Sequence, residues 1–338
     1  MATSLSQRIG VDLGSANIRI WTPELGVVVD EPSCIAIDQK TKKVLAVGKE
    51  AAVMSGRVLD RVSVEYPIQN GVVYDLAIAQ ALLKILLAKI KQPPILFHRV
   101  FMVSVPAAKT EASQQTVTDL FYSLGGREVF TIAQPLAASI GAGVPIADAS
   151  GSFLLQMGGS LVEAAVISLG SMVSHASIAC GGSYFADRVQ FGLRKKRGLQ
   201  VSDETARQLL QAVVSLDKQV SKEQLVAGKD VETGSPTEIT IATAQLATET
   251  GKLFAKYERL ITQLLTTVPA ELTVDIVDKG LLLSGGFAKL DGIEQFFVQS
   301  LGVPVAVVEE SELAVIKGIG ITLEHLDAFT QSLGYQQE

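Results

Sequence analysis

The stretch IGVDLGSANIRIW, Ile9 to Trp21, reads as strand, tight turn, strand. Ile9, Val11 and Leu13 alternate with Gly10 and Asp12, and Ile18 and Ile20 resume the apolar positions after Gly14-Ser15-Ala16-Asn17. Gly14 lets the backbone turn sharply and come close to a ligand. Ser15 and the N–H groups of the turn suit an anion. Asp12 stands where strand meets turn, placed to hold water around a metal bound to phosphate. Taken alone, the stretch also fits an ordinary hairpin, in which Asp, Gly and Ser are common.

The plan recurs. FLLQMGGSLVEAAVIS, Phe153 to Ser168, is again an apolar strand, a glycine turn (Gly158-Gly159-Ser160) and an apolar strand. LLLSGGFAKL, Leu281 to Leu290, is a third glycine turn that leads into a helical run. Two hairpin loops followed by a strand-Gly-Gly-helix turn are the layout of the actin-like ATPase folds. That is an α/β fold in which two related domains each offer a phosphate loop to a nucleotide in the cleft between them.

With 48% hydrophobic and only 19% charged residues, the 338-residue chain can bury the core of two domains. Its mean hydropathy is +0.33, yet no uninterrupted apolar run reaches the ~18 residues of a membrane span. MATSLSQR at the start lacks the apolar centre of a signal peptide, so a cytoplasmic protein is expected. The net charge is −6. Arg194-Lys195-Lys196-Arg197 is a lone basic cluster, read as a solvated helix end before Gly198. Nucleic acid is therefore not an expected partner. Cys34 and Cys180 lie in apolar surroundings and read as reduced, buried thiols, and His98, His175 and His325 have no metal-ligand spacing.

Strand and helix patterns alternate along the chain. Val27–Ile37 and Val44–Val47 read as strands, Glu50–Ser55 as a short helix and Tyr66–Gly71 as a loop. Asp75–Lys91 is a helix with Asp75 as N-cap, stopped by Pro93-Pro94. Strands are expected over Arg99–Val105 and Val129–Ile132, and helices over Lys109–Ser123 and Gln134–Ala142, the latter opened by Pro135. Beyond the second hairpin, helices are expected over Phe185–Lys195, Asp203–Val214, Thr243–Thr266, Asp291–Ser300 and Leu313–Leu326. Asp217–Pro236 is polar and reads as an exposed excursion or hairpin.

With these segments in place, the sequence resembles the MreB family of bacterial actins. DEPSCIAID, VLAVGKEAAVM, YPIQNGVV, VSVPAAKTE, PLAASIGAGVPI, PAELTVDIVDKGLLLSGG and LDGIEQFF sit where that family has similar segments, from about Ile9 to Leu326. The resemblance implies two domains, residues 1–148 (smaller subdomain about 33–75) and 149–338 (smaller subdomain about 185–250). It implies ATP or ADP with Mg in the cleft, and self-assembly into filaments, usually of paired protofilaments. Such filaments lie at the inner face of the plasma membrane, organise wall synthesis and cell shape, and meet wall-elongation membrane proteins and other MreB paralogues.

Carried over residue by residue, the nucleotide-binding positions are Asp12, Gly14, Ser15, Ala16, Asn17, Gly158, Gly159, Ser160, Gly285, Gly286 and Ala288. Asp12 would hold Mg through water. The rest of the site departs from the family. Gln156 replaces the second magnesium-organising Asp, and an amide only partly substitutes for a carboxylate on a hard cation. Gln134, before Pro135, replaces the Glu that positions the attacking water. It can orient water but not take its proton. Leu161 replaces a threonine, Ser183 an Asp, Phe287 a glycine near the adenine, and Leu210 and Ala212 a Lys and a Glu near the sugar and base. Each lost charge-assisted contact costs about 1.5–3 kcal/mol. Absent or slow ATP hydrolysis is expected, with binding an open matter. Alternatives are a non-hydrolysing paralogue that co-polymerises with another MreB, and a monomeric actin-fold adaptor. A sugar or acetate kinase would need a base carboxylate and substrate-binding insertions, and neither is visible.

Ile95, Leu96 and Phe97 fit the short apolar loop that the family inserts into the membrane, with Lys89, Lys91, His98 and Arg99 near to meet anionic headgroups. On residue type alone they equally fit the start of a buried strand.

Overall fold

The computed structural model describes residues 6–55, 61–90, 98–217 and 219–332. Ile95, Leu96 and Phe97 lie outside the described residues. The opening hairpin forms as read: Ser6–Leu13 pairs antiparallel with Asn17–Thr22, so that Leu13 faces Ile18 and Asp12 faces Arg19. Gly26–Pro32 extends this meander, and His98–Val105 and Gly126–Ala133 join in parallel on the other side of the first strand. A second five-stranded sheet repeats the topology. Ser152–Met157, Val162–Ser168 and Ser171–Ile178 form its meander, and Leu281–Ser284 and Val305–Val307 join in parallel. Both Ser152–Met157 and Val162–Ser168 are buried along their whole length, which matches their near-continuous apolar sequence.

Helices cover the sheets. Asp75 caps Leu76–Leu87 by accepting from the Ile78 N–H, and Ala79, Leu82, Leu83, Leu86 and Leu87 pack inward while Leu76 is left exposed. Together with Glu111–Ser123 this helix covers one face of the first sheet. Gly182–Arg197 and Thr243–Leu265 cover the second sheet. The four basic residues end the former helix, and Gly198 follows in the left-handed conformation, as a helix stop requires. Smaller three-stranded sheets are built from Ile35–Asp38, Val44–Val47 and Val62–Glu65, and from Leu199–Gln200, Glu223–Asp230 and Pro236–Ala242. The excursion is thus a hairpin. The Tyr66–Gly71 loop holds a small hairpin too, Ile68–Gln69 against Val72–Val73, turned by Asn70 and Gly71 at positive φ. Ala270–Lys279 is a helix that the sequence pattern does not announce.

A third apolar cluster joins the two large sheets. It includes Val100 and Met102 from the first, Leu154 and Ile167 from the second, and residues of the helices Gln134–Gly141 and Ala314–Glu324. These helices meet backbone to backbone. A Cβ on Gly141 would stand 1.9 Å from the Ala314 carbonyl oxygen, and one on Gly318 1.8 Å from that of Ala137. The last long helix therefore returns to the first sheet, where Gly320 lies under Trp21.

Candidate nucleotide cleft

The ends of the first strands of both sheets, with their turns, open into one cleft of about 720 Å³. Its floor brings together Asp12, Gly14, Ser15, Ala16, Asn17, Gln134, Gln156, Gly158, Gly159, Ser160, Gly285 and Gly286. Of the nucleotide-binding positions carried over from the resemblance, Ala288 is not brought to the cleft: it is fully buried in the second half's core. The two hairpin turns touch. Ser15 Oγ and Ser160 Oγ are 2.6 Å apart, and Ser15 Oγ also accepts from the Gly71 N–H at 3.3 Å. A Cβ on Gly159 would stand 2.6 Å from the Ala16 Cβ, so glycine is what lets the turns approach.

Each half places one polar side chain at the penultimate position of its first strand, with a partner directly across the hairpin. In the first half this is Asp12 facing Arg19, and in the second Gln156 facing Glu163. Asp12 Oδ1 accepts from Ser104 Oγ at 2.8 Å, and Oδ2 takes Arg19 Nη1 at 3.4 Å. Burial pushes the Asp12 carboxyl above its usual range, against the opposing pull of Arg19 and Ser104. Arg19 is also 3.2 Å from Asp30 through Nε, and it lines the cleft with its side chain 13% exposed. Gln156 is buried, and its Oε1 has no hydrogen-bond partner among the described residues. Glu163 is fully buried: Oε1 accepts from the Ala107 N–H at 2.7 Å, Oε2 has no partner, and burial pushes the carboxyl up to about 7.

The cleft walls come from the smaller sheets and their helices. Tyr66 and Ser55 stand on one side, and the helix Asp203–Val213 on the other. From that helix Leu210 lines the wall, whereas Ala212 does not. Asp203, Glu204, Arg207, Gln208 and Gln211 are the polar side chains of that wall. Phe287 lines the cleft but is 9% exposed and packs edge-on against Phe185, with ring centroids 6.0 Å apart. Its bulk is thus largely turned into the core, although it takes the place of a glycine.

The four carboxylates that line the cleft all have protein partners. Asp12 has Ser104 and Arg19, Asp203 has Arg207, Glu204 has the Gln208 amide, and Glu312 has Lys289. A hard divalent ion wants several oxygen ligands, carboxylates first. Here the floor offers one carboxylate with both oxygens engaged and one amide oxygen, and it places a guanidinium beside them. This set does not fit magnesium, in contrast to the position that the resemblance gives Asp12. No group of three or more His, Cys, Asp or Glu side chains that could hold a metal occurs among the described residues.

Sequence reading missed Arg19, Glu163, Lys289 and Glu312. The first two were within reach, because the four-residue turn Gly14–Asn17 fixes the register that sets Arg19 opposite Asp12, and the second hairpin does the same for Glu163.

The comparisons agree with this architecture. A family model described as MreB/Mbl protein matches residues 6–331. The cell shape-determining protein Mbl of Bacillus cereus is 32% identical over 320 residues, 94% of this chain and 96% of that protein. The cell shape-determining protein MreB of Escherichia coli K12 is 30% identical over 329 residues, 95% of this chain and 94% of that protein. The crystal structure of MreB 5 of Spiroplasma citri bound to AMPPNP has a TM-score of 0.92 at 27% identity, covering 96% of this chain and 98% of that one. The fold is the actin-like α/β fold, and the chain belongs to the MreB/Mbl family.

Proposed function

We propose that the chain is a cytoskeletal filament subunit that takes part in cell shape, that its cleft holds an adenine nucleotide, and that hydrolysis there is slow or absent. Family membership and the shape-determining relatives support the first part. The likeness to AMPPNP- and ADP-bound MreB proteins of Spiroplasma citri supports the second, together with two glycine turns whose N–H groups suit phosphate. One observation carries the third: Gln134 and Gln156 present amides to the cleft, and each carboxylate lining it has a protein partner on at least one oxygen. An amide orients water but takes no proton. Glu163 has a raised pKa suited to a base, but it does not line the cleft. The subunit acts in the cytoplasm at the inner face of the plasma membrane, with Ile95, Leu96 and Phe97 as its membrane contact. Its partners are further copies of itself and wall-elongation membrane proteins.

Phosphate release from ATP by the purified chain tests the catalytic part. The expected result is release close to the protein-free control, rising at least threefold in the double variant Gln134→Glu, Gln156→Asp. Steady turnover by the unaltered chain, unchanged in that variant, contradicts the reading.

A further inference from the structure

We propose that this cleft binds its nucleoside di- or triphosphate without a divalent cation, and that the Arg19 guanidinium supplies the positive charge at the phosphates. The inference rests on the reading of the cleft as a nucleotide site. It begins with a row of charges fixed by strand register. Arg19 faces Asp12 on one neighbouring strand and Asp30 on the other. The guanidinium is held between them, Nη1 at 3.4 Å from Asp12 Oδ2 and Nε at 3.2 Å from Asp30 Oδ1. Nε, although 3.2 Å from Asp30, has no hydrogen-bond partner among the described residues, and the side chain lines the cleft beside the Gly14-Ser15 turn. A guanidinium clamped in this way is a positioned fork with spare N–H donors, the geometry that suits phosphate oxygens.

The opposite side of the floor completes the argument. Gln156 takes in the second half the position that Asp12 takes in the first, and it is neutral. Arg19 answers Asp12 and Asp30 together, so these side chains with Gln156 carry a single net negative charge, one fewer than a carboxylate at position 156 would give. A floor of two free carboxylates repels phosphate and needs a dication to bridge the two; this floor does not. A dication entering here would meet Arg19 instead of a second carboxylate. The Gln156 amide nitrogen remains a donor to phosphate, and the N–H groups of the two glycine turns supply the rest. Lys289, also lining the cleft, adds a second cation, held by Glu312.

The test is the affinity of the full chain for ATP, by equilibrium dialysis in magnesium chloride and in excess EDTA. The proposal expects the two dissociation constants to agree within threefold. It expects Arg19→Leu to weaken binding in EDTA at least tenfold, with Arg19→Lys between the two. Gln156→Asp restores a second carboxylate without touching Arg19 and is expected to make binding magnesium-dependent by at least tenfold. It serves equally if Arg19→Leu does not fold, as judged by circular dichroism. A tenfold or greater loss of ATP affinity on adding EDTA to the unaltered chain overturns the proposal and leaves the nucleotide cleft standing. Absence of ATP binding in both buffers overturns the cleft reading and the proposal together.

Discussion

Gln156 occupies in the second sheet the position that Asp12 occupies in the first, each the penultimate residue of its strand and each facing a charged residue across its hairpin. The two halves differ at this shared position. The first half keeps a carboxylate and answers it with a cation, Arg19. The second has an amide and, behind it, a carboxyl that reaches neither solvent nor cation.

That carboxyl makes stability depend on pH. Burial pushes the Glu163 carboxyl up to about 7 in the folded chain, against 4.5 for an ordinary glutamate. The folded state therefore keeps a proton that the unfolded chain releases. Its contribution is fully present below pH 4.5, falls as pH rises and is lost above 7. The difference corresponds to about 3 kcal/mol. Glu163→Gln keeps an acceptor for the Ala107 N–H and removes the charge. Urea unfolding is expected to show the variant more stable than the parent at pH 8, by about 1–3 kcal/mol, and level with it near pH 5. Equal stability of the two at both pH values contradicts this account.

The contact of Gly141 with Gly318 joins the two halves, and it admits no side chain. Gly318→Ala would drive a methyl into the Ala137 carbonyl oxygen and force the helices apart. Overpacking of this kind costs about 3 kcal/mol. Gly192 is also in a helix but has open space around it, so Gly192→Ala should be neutral or stabilising. A smaller drop in urea midpoint for Gly318→Ala than for Gly192→Ala would show that the crossing is not close.

The hydrogen bond between Ser15 and Ser160 ties the two phosphate turns to each other. Ser15→Ala and Ser160→Ala are each expected to cost about 1 kcal/mol. The double variant should cost little more than Ser15→Ala alone, which loses this bond and the one from the Gly71 N–H as well. Fully additive losses in denaturant unfolding would mean that the hydroxyls act separately.

The proposed membrane contact predicts a separable loss. Leu96→Ser with Phe97→Ser should abolish co-sedimentation with anionic vesicles and leave the melting temperature in place. A melting temperature lowered by many degrees would instead place these side chains in a core.

Much of this was legible in the chain itself. The two hairpins, the third glycine turn and the Asp75-capped helix rest on local signals, such as alternation, glycine and a capping carboxylate, and all form, although the helix ends at Leu87 rather than Lys91 and the third turn leads first into the short 3-10 helix Gly286–Lys289. Ala270–Lys279 was missed because its single buried side chain, Ile276, gives no apolar stripe, although Pro269 before it and Gly280 after it bracket a helix. The return of Ala314–Glu324 to the first sheet depends on glycines from distant parts of the chain and has no local sign. In the cleft, the glycine turns and the glutamine substitutions could be read directly. The engagement of Asp12 by Arg19 and Ser104 needed strand pairing, since Ser104 is 92 residues away.

A filament subunit that hydrolyses its nucleotide slowly or not at all is expected to assemble with little dependence on ATP. High-speed sedimentation of the purified chain, with and without ATP and with the pellets imaged, tests it most directly. The account predicts filaments in similar amounts in both conditions. Pelleting that appears only with ATP would contradict it, and would mean that Gln134 and Gln156 still support a working nucleotide switch.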